Sequence, residues 1–368
     1  MAKAIALFAG CGGFSLGLKQ AGFDVVGFSE LAPSARKIYS ENFPDAALLG
    51  TDITQITSRQ AEDWASQFGE IDVLFGGPPC QGFSLAGKRD IEDPRNVLFV
   101  HFARIAAHLR PKVILLENVR LLTSMRASDG SLVADNIVES FRRAGYQVSY
   151  REMNAQQYGV PQSRERVFFC GIREDLPLSP SFPVPTHAAQ LVAPTLFDAV
   201  GLQKIRTFRN ACGDLESLES GQRSSRDQWH FAVSHPPHVI AQLKDVPEGE
   251  SAHNNIDPNL RPKSGYNTTY KRIRWDEPCS TIGTTFGMIS ASRNVHPTNT
   301  RSLTIREALR AQTFPDEFRL VGTLGDIRTA IGNAVPPLFA HAWGVHLRAM
   351  LKAVRPAPAT YKSTLLAG

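Results

Sequence analysis

The sequence predicts an α/β protein: a Rossmann-like, mostly parallel sheet covered on both faces, with a smaller, loop-rich and partly β domain inserted into it. Three observations carry this. Short apolar runs alternate with helical patterns as far as Ile172, the rhythm of βαβ units. That rhythm gives way to prolines at positions 177, 180, 183, 185 and 194, which mark a linker. Helical patterning returns only with Thr304–Gln312 and Pro336–Met350. The 368 residues suit one large domain and one smaller one.

The elements follow in order. Ala4–Phe8 is a short apolar run ending in Gly10-Cys11-Gly12-Gly13, and helical spacing continues through Phe14, Leu16, Leu18 and Ala21 until Gly22 stops it. Phe23–Phe28 reads as the second strand, Pro33–Asn42 as a helix, Ala46–Leu49 as a strand, Ser58–Phe68 as a helix and Ile71–Phe75 as the fourth strand. A helix over Asn96–Leu109, a strand Val113–Leu116, a helix Leu132–Ala144 and strands Tyr146–Tyr150 and Arg166–Ile172 complete the rhythm. Between the proline cluster and about Ser302, Gly, Asn, Ser, Thr and Pro are scattered without period. The predicted division is residues 1–185 for the first part of the sheet domain, 186–310 for the inserted domain and 311–368 for a segment that returns to complete the first.

Composition bounds the partners. The 42% hydrophobic and 20% charged fractions are those of a soluble enzyme, and no apolar run approaches the ~18 residues a membrane span needs. Five cysteines with no CxxC pair predict neither a disulfide framework nor a metal site, and a reducing cytoplasm is the expected compartment. Phe8-Ala9-Gly10-Cys11 has the look of a lipoprotein cleavage box, but the apolar run before it is shorter than a signal core. The net charge of +5 is compatible with a polyanion. Between residues 258 and 306, eight basic residues face only Asp276 and Glu277, and this stretch is the candidate phosphate-contacting surface, with Lys271, Arg272 and Arg274 at its centre.

The glycine turn lies between a strand and a helix, where backbone N–H groups meet anionic ligand groups. Glu30 ends the second strand about 20 residues on, the usual place of a ribose-binding carboxylate, and Asp52 follows the third. That order fits an adenosine-type ligand, a dinucleotide and S-adenosylmethionine alike. The fourth strand delivers Gly76-Gly77-Pro78-Pro79-Cys80-Gln81-Gly82-Phe83-Ser84. In α/β sheets ligands bind beyond the carboxyl ends of the strands, so Cys80 is a candidate nucleophile, whereas Cys11, Cys170, Cys212 and Cys279 read as buried structural thiols. The fifth strand ends in Glu117-Asn118-Val119, and Gln162-Ser163-Arg164-Glu165-Arg166 opens a later one. The glutamate is a candidate for bonding a ring nitrogen, and the two arginines, two residues apart, are predicted to share a face.

In this order the motifs resemble the C5-cytosine DNA methyltransferase family. Phe8–Gly13 is similar to its cofactor loop, Gly76–Ser84 to its Pro-Cys loop, Arg95–Phe99 to the helix start that follows, Glu117–Val119 to its Glu-Asn-Val motif and Gln162–Arg166 to its Gln-x-Arg-x-Arg motif. Arg301–Glu307 through Gln312–Asp316 is similar to the segment that supports its target-recognition domain, and Gly332–Pro337 to its last motif. Residues 185–265 carry no specific pattern, and Ala6 stands where many members have Asp.

The resemblance implies a methyltransferase that uses S-adenosylmethionine and acts on double-stranded DNA as a monomer, in a restriction-modification system whose separately encoded endonuclease is a candidate partner. It implies that Cys80 attacks carbon 6 of a flipped cytosine, with Glu117, Arg164 and Arg166 on the base, and no metal. Phe8, Gly10, Gly12, Gly13, Phe14, Glu30, Asp52, Ile53, Pro78, Leu98, Asn333 and Ala334 are its cofactor residues. Ser84, in a loop over 82–95, and Thr281, in a Thr-Ile pair similar to the family's Thr-Leu, fall near the DNA. It also implies that the last motif folds back beside the first strand. An RNA cytosine methyltransferase of the same fold is the alternative, disfavoured by the long insertion. A catalytically inactive DNA-binding module is disfavoured by the intact Cys80, Glu117 and Arg166. A nicotinamide dehydrogenase would explain the glycine loop but not Pro79-Cys80.

Overall fold

A computed structural model describes residues 1–79, 98–189 and 201–354 of the chain. In the first part lie β1 (Ala2–Leu7), α1 (Gly13–Gln20), β2 (Phe23–Ser29), α2 (Pro33–Asn42), β3 (Ala47–Gly50), α3 (Ser58–Phe68) and β4 (Val73–Gly76). After residue 97 come α4 (Leu98–Leu109), β5 (Val113–Val119), α5 (Val133–Arg143), β6 (Tyr146–Asn154), β7 (Gln162–Ser163) and β8 (Glu165–Arg173). Seven strands form one sheet in the order β3-β2-β1-β4-β5-β8-β6. All neighbours run parallel except β8, which is antiparallel to both β5 and β6.

Strand periodicity places the two cores. Ala4 and Ala6 face one side of the sheet with Val113, Leu115, Phe168 and Cys170. Ile5 and Leu7 face the other with Ile114, Leu116, Val167 and Phe169. Because both faces are buried, the strands read as nearly unbroken apolar runs. α3, α4 and α5 cover one face through Trp64, Phe102, Ile105 and Phe141. The other is covered by α1 and by α10 (Pro337–Val354), which brings in Phe339, Trp343 and Leu347.

The return of the C-terminal segment is therefore observed, and glycine makes it close. A Cβ on Gly17 would stand 2.2 Å from the Pro337 carbonyl oxygen, so α1 and α10 cross at backbone contact. Arg348 donates to the Ala21 carbonyl at 2.8 Å and clips the far end of the pair.

Between the linker and α10 regular structure is sparse. Among the described residues it comprises the two-residue strands β9 (His187–Ala188), β10 (Gln203–Lys204) and β11 (Cys279–Ser280), the α-helices α6 (Phe208–Cys212), α7 (Pro237–Leu243), α8 (Ile305–Ala311) and α9 (Leu324–Asn333), and single 3-10 turns at Ala252–Asn254, Pro258–Leu260 and Ile289–Ala291. The expected β content is thus slight. α9 was not anticipated from its apolar spacing, although Thr323 and Asp326 close a capping box at its start. One apolar core joins Phe208, Cys212, Ile273, Cys279, Ile282 and Phe286 to Leu309, Phe314, Ile327 and Ile331. This core runs across residue 310, where the sequence pattern had set a boundary. A smaller one gathers Leu243, Val246, Ala252, Ile289 and Val295.

A buried ion pair fixes the inserted region onto α8. Arg301, fully buried, donates to both oxygens of Glu307 at 2.8 Å and to the Leu218 carbonyl at 2.6 Å. Burial alone would raise the Glu307 carboxyl, but Arg301 overrides it and holds it down at about 2. A depressed carboxyl contributes stability above its unfolded value, near 4.3, and loses it as pH falls toward 2. Arg301→Met should therefore cost about 3–5 kcal/mol at pH 7, because it leaves a carboxylate buried without its partner. Urea unfolding measures this, and a cost under about 1 kcal/mol would show that the pair contributes little.

Candidate active site

Parallel register lines up the carboxyl ends of the central strands. Leu7 pairs with Ser29 on one side and Gly76 on the other, and Gly76 pairs with Leu116. The next residue on each strand is Glu30, Phe8, Gly77 and Glu117. Residues as far apart in the chain as Phe8 and Glu117 thus stand along one edge, because β1, β2 and β4 end level with Leu116 of β5.

One end of this edge is built for a ligand with both polar and apolar parts. Phe8 and Gly10 have φ of 52° and 56°, and Gly12 has φ of 97°. The Gly10 N–H donates to Glu30 at 2.8 Å, and the other Glu30 oxygen accepts from Ala32 N–H at 2.8 Å. No side chain caps the start of α1. A Cβ on Gly10 would meet nothing within 4 Å, whereas one on Gly12 would strike the Phe43 ring at 2.3 Å. The turn is thus packed on the Gly12 side and open at Gly10. Asp52 accepts from the Thr54 N–H and hydroxyl. Ile53 and Pro78 are buried and Leu98 half-buried. Phe14 lies mostly in the core, its ring 4.9 Å from that of Phe75. Asn333 is exposed at the end of α9, and Ala334 sits against Gly13, where an added Cβ would be 3.3 Å away. An open backbone cradle, an uncapped helix start and two carboxylates at successive strand ends fit an adenosyl ligand. Among the described residues no group of His, Cys, Asp and Glu could hold a metal.

Cys80 and Ser84 lie outside the described residues. What precedes them is anchored firmly. Asn118 donates to the Pro78 carbonyl at 3.1 Å, and a Cβ on Gly77 would be 2.8 Å from a Glu117 carboxylate oxygen. The strand carrying Glu117 therefore also holds the root of the Pro-Cys loop, a role for Asn118 that the motif alone did not disclose. Glu117 and Arg166 form an ion pair at 2.8 Å. Arg166 pairs with Val119 across the sheet, so its side chain reaches Glu117 diagonally on the same face. Burial pushes the Arg166 guanidinium down, and Glu117 opposes that shift.

Arg164 differs from the expectation. It precedes β8, is 1% exposed, and donates to the carbonyls of Ile282 and Gly332 at 3.1 Å each. Its guanidinium joins the inserted region to α9 rather than facing a substrate beside Arg166. It is therefore a positioning residue. Neighbouring bonds extend the same join. Gln162 accepts from Ile282 N–H at 2.9 Å and donates to Gln312 at 3.0 Å, and Gln312 donates to the Ile331 carbonyl at 2.7 Å.

Between these layers lies a cleft of about 470 Å³, lined among others by Arg120, Arg166, Thr281, Thr285, Ser292 and Arg293. Thr281 is exposed, and its hydroxyl donates to the Ser163 carbonyl at 2.9 Å. The basic stretch is not one surface. Arg272 is 2% exposed and donates to the carbonyls of His296, Asn299 and Leu243, which removes it as a phosphate contact. Arg301 and Arg306 are likewise buried on carboxylates. Arg274 is exposed but pairs with Glu277 at 3.1 Å. Lys271 is exposed. Arg293, exposed on the cleft wall, is the cation that charge counting did not single out, because only the fold brings it beside Arg166.

A model of the family described as C-5 cytosine-specific DNA methylase matches residues 2–348. The chain is 36% identical over 343 residues to the Type II methyltransferase M1.HphI of Haemophilus parahaemolyticus, covering 92% of this chain and 84% of the relative. It is 32% identical over 376 residues to M.DdeI of Desulfomicrobium norvegicum, covering 92% and 86%. A solved structure of a prophage-encoded Escherichia coli protein superposes with a TM-score of 0.71 at 24% identity, over 96% of this chain and all of that one. That likeness shows the fold.

The contact between Gly77 and Glu117 gives a sharp test. Gly77→Ala would place a methyl 2.8 Å from the carboxylate oxygen. The flexible end of the glutamate can shift while staying within reach of Arg166, so the fold survives but the carboxylate is displaced from its place. Turnover should fall about 10²-fold with an unchanged urea midpoint. Full turnover would show that the carboxylate position is not critical.

Proposed function

The chain belongs to the C-5 cytosine-specific DNA methylase family and is a DNA (cytosine-5)-methyltransferase, and from that premise we propose how its residues divide the reaction. The observation that carries the proposal is the Glu117–Arg166 pair at 2.8 Å, on the same edge as the anchored root of the Cys80 loop.

The target cytosine is stacked in the duplex and must be flipped out before any side chain reaches it. The Cys80 thiolate attacks carbon 6 of the ring. Glu117 bonds ring nitrogen 3 and the exocyclic amine, where charge develops. Arg166 fixes the Glu117 carboxylate and, from the cleft wall, meets the base oxygen. Phe8, Gly10, Gly12, Gly13, Glu30, Asp52, Ile53, Pro78, Leu98, Asn333 and Ala334 form the S-adenosylmethionine site, with Phe14 packed behind the glycine turn. S-adenosylmethionine, when bound there, supplies the methyl group for carbon 5. Removal of the carbon 5 proton then expels Cys80 and restores the aromatic ring.

Residues 186–310 serve as the target-recognition domain and residues 311–368 as the returning segment. A sheet edge presents its chemistry in one place, and reading several base pairs needs side chains that reach a groove from elsewhere. Lys271 and Arg293, both exposed, serve as phosphate contacts in this reading, and Ser84 and Thr281 act on the flipped nucleotide. The similarity to Type II methyltransferases supports a restriction-modification role with a separately encoded endonuclease. The enzyme is read as a cytoplasmic monomer. Among the described residues, no helix is long and apolar enough to cross a membrane.

Bisulfite sequencing of DNA from a host expressing the protein tests this reading. Protected cytosines should appear at one short sequence, disappear with Cys80→Ser, and fall about 10²–10⁴-fold in rate with Glu117→Gln. Unmodified DNA with the intact enzyme, or undiminished modification with Cys80→Ser, would refute it.

A further inference from the structure

The inserted region carries a feature that its small core leaves unexplained. Residues 253–271 hold two large apolar side chains in nearly full contact with water, Ile256 at 89% and Tyr266 at 80% exposed. Their only acid is Asp257, which accepts the Asn259 N–H at 2.8 Å. Arg261, Lys263 and Lys271 are all exposed. Single exposed apolar residues are ordinary, but an aromatic at the tip of a fixed turn within a cationic segment is a different case.

The turn is fixed at its base. The Thr269 N–H and hydroxyl both donate to the Tyr266 carbonyl, at 2.8 and 2.9 Å. The Ser251 hydroxyl donates to the Thr269 carbonyl at 2.6 Å, and Ala252 N–H to the Tyr270 carbonyl at 3.1 Å. Gly265, at φ of 111°, lets the chain fold over His253. The tip residues Tyr266, Asn267 and Thr268 remain exposed. The turn is also continuous with the cleft. Tyr270 N–H donates to the Ile289 carbonyl, and Val295 N–H to the Lys271 carbonyl. The segment between those two bonds contributes Ala291, Ser292 and Arg293 to the cleft wall.

We propose that the turn Gly265–Thr269 is a sequence-reading element of this enzyme, with Tyr266 and Asn267 contacting base pairs beside the target cytosine and Lys263 and Lys271 holding the flanking phosphates. This rests on the reading of the cleft as the DNA site. Duplex DNA is the occupant the page supports: the segment is cationic, and one short ladder of hydrogen bonds separates it from the cleft. An amide side chain can bond base edges bidentately, and an aromatic ring offers stacking or methyl contact. A pre-ordered turn makes these contacts without an ordering cost at binding.

The test uses the full chain, mixed-sequence duplex DNA and methylation mapping, with filter binding at several salt concentrations. Tyr266→Ala and Asn267→Ala should each relax discrimination at one position of the recognised site, lowering the ratio of cognate to single-mismatch methylation about tenfold. Lys263→Ala should weaken binding to all sequences alike and lower the salt slope by about one. An unchanged urea midpoint shows that the exposed changes leave the fold intact. If the Tyr266→Ala, Asn267→Ala double variant keeps the parent's site, discrimination and affinity, the turn does not read DNA and its exposed face belongs to another partner. If the parent enzyme itself methylates no DNA, the reading of the cleft fails and the role of the turn fails with it.

Discussion

Arg164 donates to the Ile282 and Gly332 carbonyls from a position 1% exposed, and the relation between the two halves of the molecule follows from this bond pair and its glutamine neighbours. A guanidinium is costly to bury unless its donors are met. Here the two terminal nitrogens are met by backbone from segments 118 and 168 residues away in the chain, and only Nε has no partner. Gln162 and Gln312, both fully buried, extend the join to α8 and α9. Neither half could shift without leaving buried donors and carbonyls unpaired, so the cleft between Arg166 and Thr281 has a set width. A similar logic holds the nearby Arg301–Glu307 pair, which ties the inserted region to α8.

The chemistry depends on close backbone approach at the sheet edge. Gly76 lies against β1 so tightly that a Cβ would be 2.0 Å from the Leu7 carbonyl oxygen, and a Cβ on Gly77 would be 2.8 Å from the Glu117 carboxylate. Asn118, next to Glu117, secures Pro78. Consecutive residues of one strand thus place the carboxylate and the root of the Pro-Cys loop together. Proximity of this kind removes a large part of a barrier before any bond changes.

Much of this was legible in the sequence, and the limits have physical causes. The sheet was readable because buried parallel strands are continuous apolar runs bounded by turn residues. Strand ends fix ligand positions, so Glu30, Asp52 and Glu117 could be placed by order alone. β6 proved longer than the run Tyr146–Tyr150 because its polar half is an exposed strand, which apolar patterning does not detect. Arg164 and Arg272 were misassigned for one reason: in sequence, a buried arginine on backbone carbonyls looks the same as one awaiting a phosphate. Arg293 is the converse case, since its place beside the cleft follows from the pairing of Val295 with Lys271, which no local pattern encodes. The inserted region was legible only as irregular. Its order rests on side-chain bonds to backbone, such as those of Ser251 and Asn294, and these have no period.

The central claim is that Cys80 forms a covalent bond to the target base while Glu117 and Arg166 hold it. Fluorine at carbon 5 cannot leave as a proton does, so duplex DNA with 5-fluorocytosine at the recognised site should arrest the reaction at the bonded stage when S-adenosylmethionine is present. Proteolysis and mass spectrometry of the arrested complex then identify the attached residue. The account predicts the nucleotide on the peptide containing Cys80, with no adduct in Cys80→Ser. An adduct on any other residue, or one that survives in Cys80→Ser, would contradict it.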